Sequence, residues 1–134
     1  MEILFLAINF ILLIILIVCP VFIINKLYKR NSKNTFILYL ILAIITTFPI
    51  ILVLAWWSHF SCELLLSHFG YNFEAWNDLE RFKNVAIENL AKVKEIDKSR
   101  MGIGWPLKAF IFYPIYSAYL FILYFVFYFY KKSK

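Results

Sequence analysis

The sequence has few of the residues that build phosphate loops, disulfide frameworks or catalytic clusters. It has three glycines, two cysteines and two histidines among 134 residues. No glycine-rich phosphate loop, nucleophile with a neighbouring base, or pair of catalytic carboxylates can be identified. The sequence therefore predicts a protein that is not an enzyme, with no catalytic residue and no cofactor.

The two cysteines are not expected to form a disulfide with each other. Cys19 lies near the end of the first apolar block, and Cys62 lies just beyond the second. At about 1.5 Å of rise per residue, helical blocks would separate them by most of a bilayer. A disulfide needs Cα atoms within roughly 7 Å. This spacing also argues against a thiol-redox membrane enzyme, which needs clustered cysteines.

Long hydrophobic runs dominate the composition. The chain is 63% hydrophobic, against about 45–50% in soluble domains. The excess lies in three blocks, 3–25, 36–60 and 105–130, and each is long enough for a helix to cross a hydrocarbon core of about 30 Å. We predict an all-α integral membrane protein with three transmembrane helices in a single membrane domain, 1–134. No basic residue precedes the first block, so we do not expect a cleaved signal peptide.

The distribution of charge predicts the orientation. The loop after the first block and the C-terminal tail contain bases and no acid: Lys26, Lys29, Arg30, Lys33, Lys131, Lys132 and Lys134. The segment 59–104 contains seven acidic and six basic residues. The positive-inside rule then places the N-terminus and this segment outside, and the C-terminus inside. The net charge of +6 is mainly a topology signal and predicts no nucleic-acid partner. The chain is rich in Ile, Phe, Lys and Asn and has few glycines, a composition compatible with an AT-rich bacterial genome. We therefore expect the protein in a bacterial inner membrane.

The extracytoplasmic segment, about 61–104, is predicted to be helical. The second helix is expected to continue past Phe60 and to stop at Gly70. Asn77 is a predicted N-cap with Glu80 at the third helical position. The periodic apolar residues after it predict one amphipathic helix of about five turns: Leu79, Phe82, Ala86, Leu90, Val93 and Ile96. This helix either lies on the outer membrane surface or packs on protein, and its mixed charges favour protein. Gly102 and Gly104 allow a tight turn that returns the chain to the membrane, and Pro106 suits the first turn of the third span.

The third span has a tyrosine-rich face. Tyr113, Ser117, Phe121, Tyr124 and Tyr128 share this face, and we predict that it packs on the other spans or on a partner. A quinone or lipid-tail contact surface is the alternative. The opposite face is predicted to contact lipid: Ile111, Ile115, Ala118, Ile122 and Phe125. Each span also contains one internal proline. Membrane helices generally tolerate proline more often than soluble helices do, or the prolines bend the bundle and form a lipid-facing groove.

A few polar residues could form a site near the outer membrane surface. Lys108 can extend to the headgroups, or can join Lys98 and Arg100 to bind a phosphate headgroup or an acidic partner. His59 and Glu63 are four residues apart and are weak metal candidates, because no third ligand shares their helical face. Within the membrane, Asn9, Thr46 and Thr47 are expected to form interhelical hydrogen bonds.

These features favour a small non-catalytic accessory or regulatory subunit of a larger inner-membrane complex. Its partners would be membrane lipid and another integral membrane protein, or further copies of itself. One alternative is an immunity protein against a pore-forming toxin. Another is a membrane protein that binds a lipid headgroup or quinone.

Overall fold

The structure, a computed structural model, describes residues 2–30 and 34–133. Lys33 and Lys134, which belong to the two basic segments, lie outside them. Within these ranges the α-helices are α1 (Glu2–Lys29), α2 (Thr35–His68), α3 (Asp78–Arg81), α4 (Leu90–Arg100) and α5 (Trp105–Lys132). A short 3₁₀ helix, Ile87–Asn89, precedes α4. No strand occurs in the described ranges, which confirms the all-α fold class.

Three of these helices, α1, α2 and α5, are long and apolar enough to cross a membrane, as predicted. They contain 28, 34 and 28 residues and exceed the predicted spans at one or both ends. Most of their apolar side chains remain exposed outside the bundle, including the predicted lipid-facing residues of α5. An aqueous surface of this kind would be unfavourable, so the architecture indicates a multi-pass membrane protein.

The second helix organises the bundle, because α2 packs against α1, α5 and α4. Two ends of the bundle can be distinguished. We call the end where α2 finishes and α5 begins the connection end, and residues 69–104 the connection. The main core lies between the three long helices, and its buried residues include Leu16, Ile24, Tyr39, Ala43, Ile51, Ala109, Tyr116 and Leu120.

The proline in α1 is linked directly to α5. Pro20 has no N–H, so the carbonyl of Leu16, four residues earlier, lacks its usual helical donor. The hydroxyl of Tyr116 donates to that carbonyl at 2.7 Å. The hydroxyl of Tyr119 donates to the Ile17 carbonyl at 3.0 Å. The proline therefore creates an acceptor that α5 uses to dock on α1.

The buried face of α5 differs from the predicted tyrosine face by about one residue position. Ala109, Tyr116 and Leu120 are buried, whereas Phe121 and Tyr128 are exposed. The two hydroxyls that reach α1 belong to Tyr116 and Tyr119, which the periodicity did not select. The reason is that the freed acceptor lies on α1, and its position determines the rotation of α5.

The intramembrane polar residues also behave differently from the prediction. Thr46 and Thr47 donate to carbonyls of their own helix, to Leu42 at 2.8 Å and to Ala43 at 2.6 Å. Within the described residues, the side-chain oxygen of Asn9 is buried without a hydrogen-bond partner. Threonine hydroxyls can satisfy themselves on the preceding turn, so these residues do not tie the helices together.

The end of α2 follows the prediction. Gly70 has φ +82°, and the Tyr71 N–H donates to the Leu66 carbonyl at 3.0 Å while the Gly70 N–H donates to the Ser67 carbonyl at 3.1 Å. This is the Schellman pattern that ends a helix with a left-handed residue. A Cβ at Gly70 would lie 2.8 Å from the Asn84 carbonyl oxygen, so close packing adds a second requirement for glycine.

The connection contains no five-turn amphipathic helix, which corrects the prediction. Asn77 does cap α3, since its side-chain oxygen accepts the Glu80 N–H at 2.8 Å. However, α3 ends after one turn, and the chain is extended at Ala86 before the 3₁₀ helix and α4. The break buries Val85, which has no place in the predicted apolar stripe, and leaves Leu79 exposed.

A second, smaller core attaches the connection to the last turns of α2. Its buried residues are Leu66, Tyr71, Val85 and Val93, with Phe69, Phe82, Leu90 and Ile96 packed around them. Burying side chains of this size contributes roughly 1.5–3 kcal/mol each. Lys92 of α4 also forms an ion pair with Glu2 at the start of α1. The connection is therefore a folded cap on one end of the bundle.

Candidate functional site

A chain of polar contacts links α2 to α4 at the connection end. The Tyr71 hydroxyl donates to Asp97 Oδ1 at 2.9 Å, and Arg100 Nη2 lies 3.5 Å from the same oxygen. Arg100 Nη1 lies 3.7 Å from Glu63 Oε1, which also lies 3.4 Å from His59 Nε2. Asp97 is buried, and a buried carboxylate requires such donors. The network fixes α4 relative to the end of α2.

The environment of Tyr71 changes its acidity. Burial raises the pKa of Tyr71 above its ordinary value, and the hydrogen bond to Asp97 raises it further. The positive charges of Arg81 and Arg100 lower it in part. The neutral phenol is consequently the form that the folded connection favours.

Arg100 also packs on aromatic rings of the connection. Its guanidinium carbon lies 5.2 Å from the Phe73 ring centroid and 5.9 Å from that of Tyr71. Within the part of the chain that the structure describes, its Nε is buried without an acceptor. Arg100 is thus surrounded by two carboxylates and two rings, and its position is fixed by these contacts.

Lys108 occupies the first turn of α5 and reaches towards α4. Its Nζ donates to the Ser99 carbonyl at 3.3 Å. Carbonyls in the last turn of a helix carry partial negative charge and have no intrahelical donor. Among the described residues, no carboxylate forms an ion pair with Lys108.

These elements enclose a cleft of about 460 Å³ at the connection end. Its walls are mainly apolar, with Leu13 from α1, Ile51, Leu54 and Ala55 from α2, and Ala109 and Phe112 from α5. Its polar edge is formed by Ser58, His59, Cys62, Ser99, Arg100, Trp105 and Lys108. A cleft of this size and composition can accommodate a small amphiphile.

Only part of the predicted basic corner lies in this cleft. Arg100 and Lys108 line it together with His59. Glu63 lies behind the lining and contacts His59 and Arg100. Lys98 instead lines a separate depression with Asp78, Arg81, Phe82, Lys94, Asp97 and Met101. Residues two apart on a helix point in nearly opposite directions, so Lys98 and Arg100 do not line the same cleft.

The weak metal candidates lie in the ion-pair network. His59 and Glu63 contact each other across one helical turn, as their spacing predicts. Within residues 2–30 and 34–133, no group of three histidine, cysteine, aspartate or glutamate side chains is arranged to hold a metal ion. The network accounts for both residues through their contacts with Arg100.

Three large apolar side chains of the connection are almost fully exposed. Trp76, Leu79 and Ile87 are 96%, 88% and 93% exposed. They lie outside the three long helices, on a segment held in place by the second core. We call these three residues the apolar surface. Where exposed apolar side chains form a patch on a folded protein, the patch marks a contact with another protein, a ligand or a membrane.

The predicted tyrosine-face residues occupy several environments. The Tyr113 hydroxyl is buried and has no hydrogen-bond partner among the described residues, and Ser117 donates to the Pro114 carbonyl of its own helix at 2.6 Å. Tyr124 packs its ring on Phe36 and Tyr39, with centroid distances of 4.7 and 5.7 Å. Tyr128 stacks on Tyr124 and remains partly exposed. On this face, Phe121 and Tyr128 are therefore the residues most open to lipid or a partner.

Two important residues were absent from the sequence-based predictions. Tyr71 follows the predicted helix stop, and its buried contact with Asp97 spans 26 positions, so no local pattern marks it. Tyr116 could have been identified by pairing each intramembrane proline with a hydroxyl on another span. The sequence alone does not say which hydroxyl faces which proline.

No protein-family model, curated protein or solved structure matches the chain. The apolar surface and the cleft are therefore the two features of the structure that can indicate a function.

Proposed function

We propose that this protein is a small non-catalytic accessory subunit that docks another integral membrane protein through its connection. The observation that carries the proposal is the apolar surface of Trp76, Leu79 and Ile87, displayed on a folded segment beyond the long helices. Tryptophan is among the residues that most often dominate the binding energy of protein interfaces, and neighbouring aliphatic side chains add apolar contact area. The three spans would hold the subunit beside its partner in the bilayer.

The charges near the apolar surface favour a protein over the bilayer as its occupant. Glu74, Asp78, Glu80 and Glu88 lie close to it in the sequence, against the bases Arg81 and Lys83. Asp78 is already paired with Arg81. A segment that binds anionic headgroups would be expected to carry an excess of bases. The partner should therefore present apolar pockets with basic residues around them.

The proposed orientation places the connection outside the cytoplasmic membrane of a bacterium, with the C-terminus inside. The support is the acid-free basic loop and tail at the opposite end of the bundle from the connection. The Glu2–Lys92 ion pair also brings the start of α1 to the same end as the connection. The partner would then be contacted on the outer side of the membrane.

A second candidate function uses the same surface. Glu74, Glu80 and Glu88 form no ion pair within the described parts of the chain. Such carboxylates around apolar anchors would suit a cationic, pore-forming toxin, and the protein would then confer immunity. The two functions differ in when the partner is present: a subunit is bound constitutively, whereas a toxin is bound only on exposure.

The test is purification of the tagged protein from its native membranes in mild detergent, followed by quantitative mass spectrometry. The triple variant Trp76→Ser, Leu79→Ser, Ile87→Ser should lose a stoichiometric membrane partner that the unaltered protein retains. A matched control, Lys83→Ala with Glu95→Ala, changes exposed residues of the connection and should retain it. Recovery of the unaltered protein alone or as a self-oligomer would contradict the accessory-subunit function, and protection against an added toxin would favour immunity.

A further inference from the structure

We propose that the cleft between α2, α4 and α5 binds an anionic phospholipid, with the phosphate at Lys108 and an acyl chain along the apolar walls. This site is distinct from the apolar surface, and the inference does not depend on the proposed partner. It rests on the cleft geometry and on Lys108 at its edge, which has no carboxylate partner among the described residues.

The polar and apolar parts of the cleft follow the expected depth of a lipid. Trp105 begins α5, and Lys108 lies in the first turn of that helix. Tryptophan and lysine at the end of a membrane-spanning helix occupy the headgroup region. Phe112 lies one turn deeper on α5, and Leu54 and Ile51 lie one and two turns deeper than Ser58 on α2. The headgroup of a lipid in the cleft would thus lie beside the polar residues, and its acyl chain would lie beside the apolar ones.

Lys108 is the cation at the edge of the cleft that can receive an anion. Glu63 and Asp97 both contact Arg100, and these two carboxylates more than offset the charge of that guanidinium. Among the described residues, Lys108 forms no ion pair, and its hydrogen bond is to the neutral Ser99 carbonyl. An ammonium group has three donors, so Lys108 can keep this contact and still bind a phosphate oxygen. Lys108 is therefore the group that would pair with the single negative charge of a phosphodiester.

Arg100 lines the cleft beside Lys108. Its Nε is closed to solvent, so a ligand oxygen in the cleft would not reach that group. The phosphate contact is therefore assigned to Lys108, which carries the electrostatic attraction. A neutral quinone could fill the same walls, but it would not require the charge of Lys108.

The experiment is native mass spectrometry of the full-length protein in neutral detergent, titrated with phosphatidylglycerol. Diacylglycerol with the same acyl chains supplies a ligand without phosphate, and inorganic phosphate supplies one without a chain. Lys108→Gln should weaken phosphatidylglycerol binding about tenfold or more, as expected for loss of one charge-assisted hydrogen bond. Lys98→Gln, the matched control on the other side of α4, should leave it unchanged.

Two further variants separate binding from folding. Lys108→Arg keeps the charge and should retain most of the affinity. Ser58→Phe fills the edge of the cleft without removing a charge, and it should also weaken binding. Equal losses in Lys98→Gln and Lys108→Gln would overturn the proposal, because general surface charge would then explain binding. Equal affinity for diacylglycerol, or binding of inorganic phosphate as tight as that of phosphatidylglycerol, would overturn it as well.

Discussion

The hydroxyl of Tyr116 donates to the carbonyl of Leu16, which the proline four residues later in α1 has left without a helical donor. This contact joins two helices that are far apart in the sequence, and it sits in the buried core of the bundle. It also determines which side of α5 faces inward. The neighbouring Tyr119 hydroxyl bonds the Ile17 carbonyl on the same turn of α1.

The first prediction concerns this contact. Tyr116→Phe should destabilise the bundle by about 0.6–1.7 kcal/mol, the range for hydrogen bonds between membrane helices. In a Pro20→Ala background the restored N–H can donate to the Leu16 carbonyl, so the same change should cost less. A double-mutant cycle, measured by unfolding in mixed detergent, tests this coupling. Strictly additive effects would show that the proline and the tyrosine are not linked.

The second prediction concerns Tyr71 and alkaline pH. Its pKa is raised in the folded protein, mainly by burial, so the folded state favours the neutral phenol. Its stabilising contribution should be complete below the ordinary tyrosine pKa of about 10 and should disappear as the pH rises through the higher folded value. The protection of amides in the connection, expressed relative to the intrinsic exchange rate at each pH, should therefore decrease above about pH 10.

Tyr71→Phe provides the matching variant. It should destabilise the connection by about 1–3 kcal/mol at neutral pH, because buried Asp97 loses a donor. The additional loss of protection at alkaline pH should be smaller than in the unaltered protein. An identical alkaline response in both proteins would assign the effect to another group.

The third prediction concerns the end of α2. Gly70→Ala should destabilise the connection by at least about 1–2 kcal/mol, the cost of a left-handed conformation for alanine. Its Cβ would also lie 2.8 Å from the Asn84 backbone oxygen. Gly104→Ala is the control and should cost less, because its Cβ would lie 3.6 Å from Pro106 Cδ without a left-handed backbone. Thermal unfolding monitored by circular dichroism compares the two.

The fourth prediction concerns orientation. In a background with Cys19 and Cys62 replaced by alanine, Ser99→Cys should react with a membrane-impermeant thiol reagent in intact cells. Ser133→Cys should react only after permeabilisation. Both positions are exposed at opposite ends of the bundle, so access to the reagent reports the side of the membrane. The reverse pattern would overturn the outer placement of the connection.

The long helices were predictable because their cause is local. Each needs about twenty consecutive apolar residues, and such runs can be read without knowledge of the fold. The stop at Gly70 was predictable for the same reason, since a left-handed helix end selects glycine. Neither prediction required a contact between distant parts of the chain.

The features that failed depend on distant contacts. The apolar period from Leu79 to Ile96 predicts one helix, yet the second core draws in Val85 and the chain breaks near Ala86. The buried face of α5 is rotated relative to the predicted tyrosine face, because Tyr116 donates to an acceptor on α1. Lys98 and Arg100 were grouped by proximity in the sequence, but the helix turns them to different clefts.

The central claim is that the apolar surface docks another membrane protein, and site-specific photo-crosslinking in intact cells tests it most directly. A photoreactive phenylalanine derivative would replace Trp76, Leu79 or Ile87 one at a time, with Glu95 on α4 as the control position. The account predicts that one membrane protein is captured from all three surface positions and is absent from the control. Capture of lipid alone, or of the same products from Glu95, would contradict it.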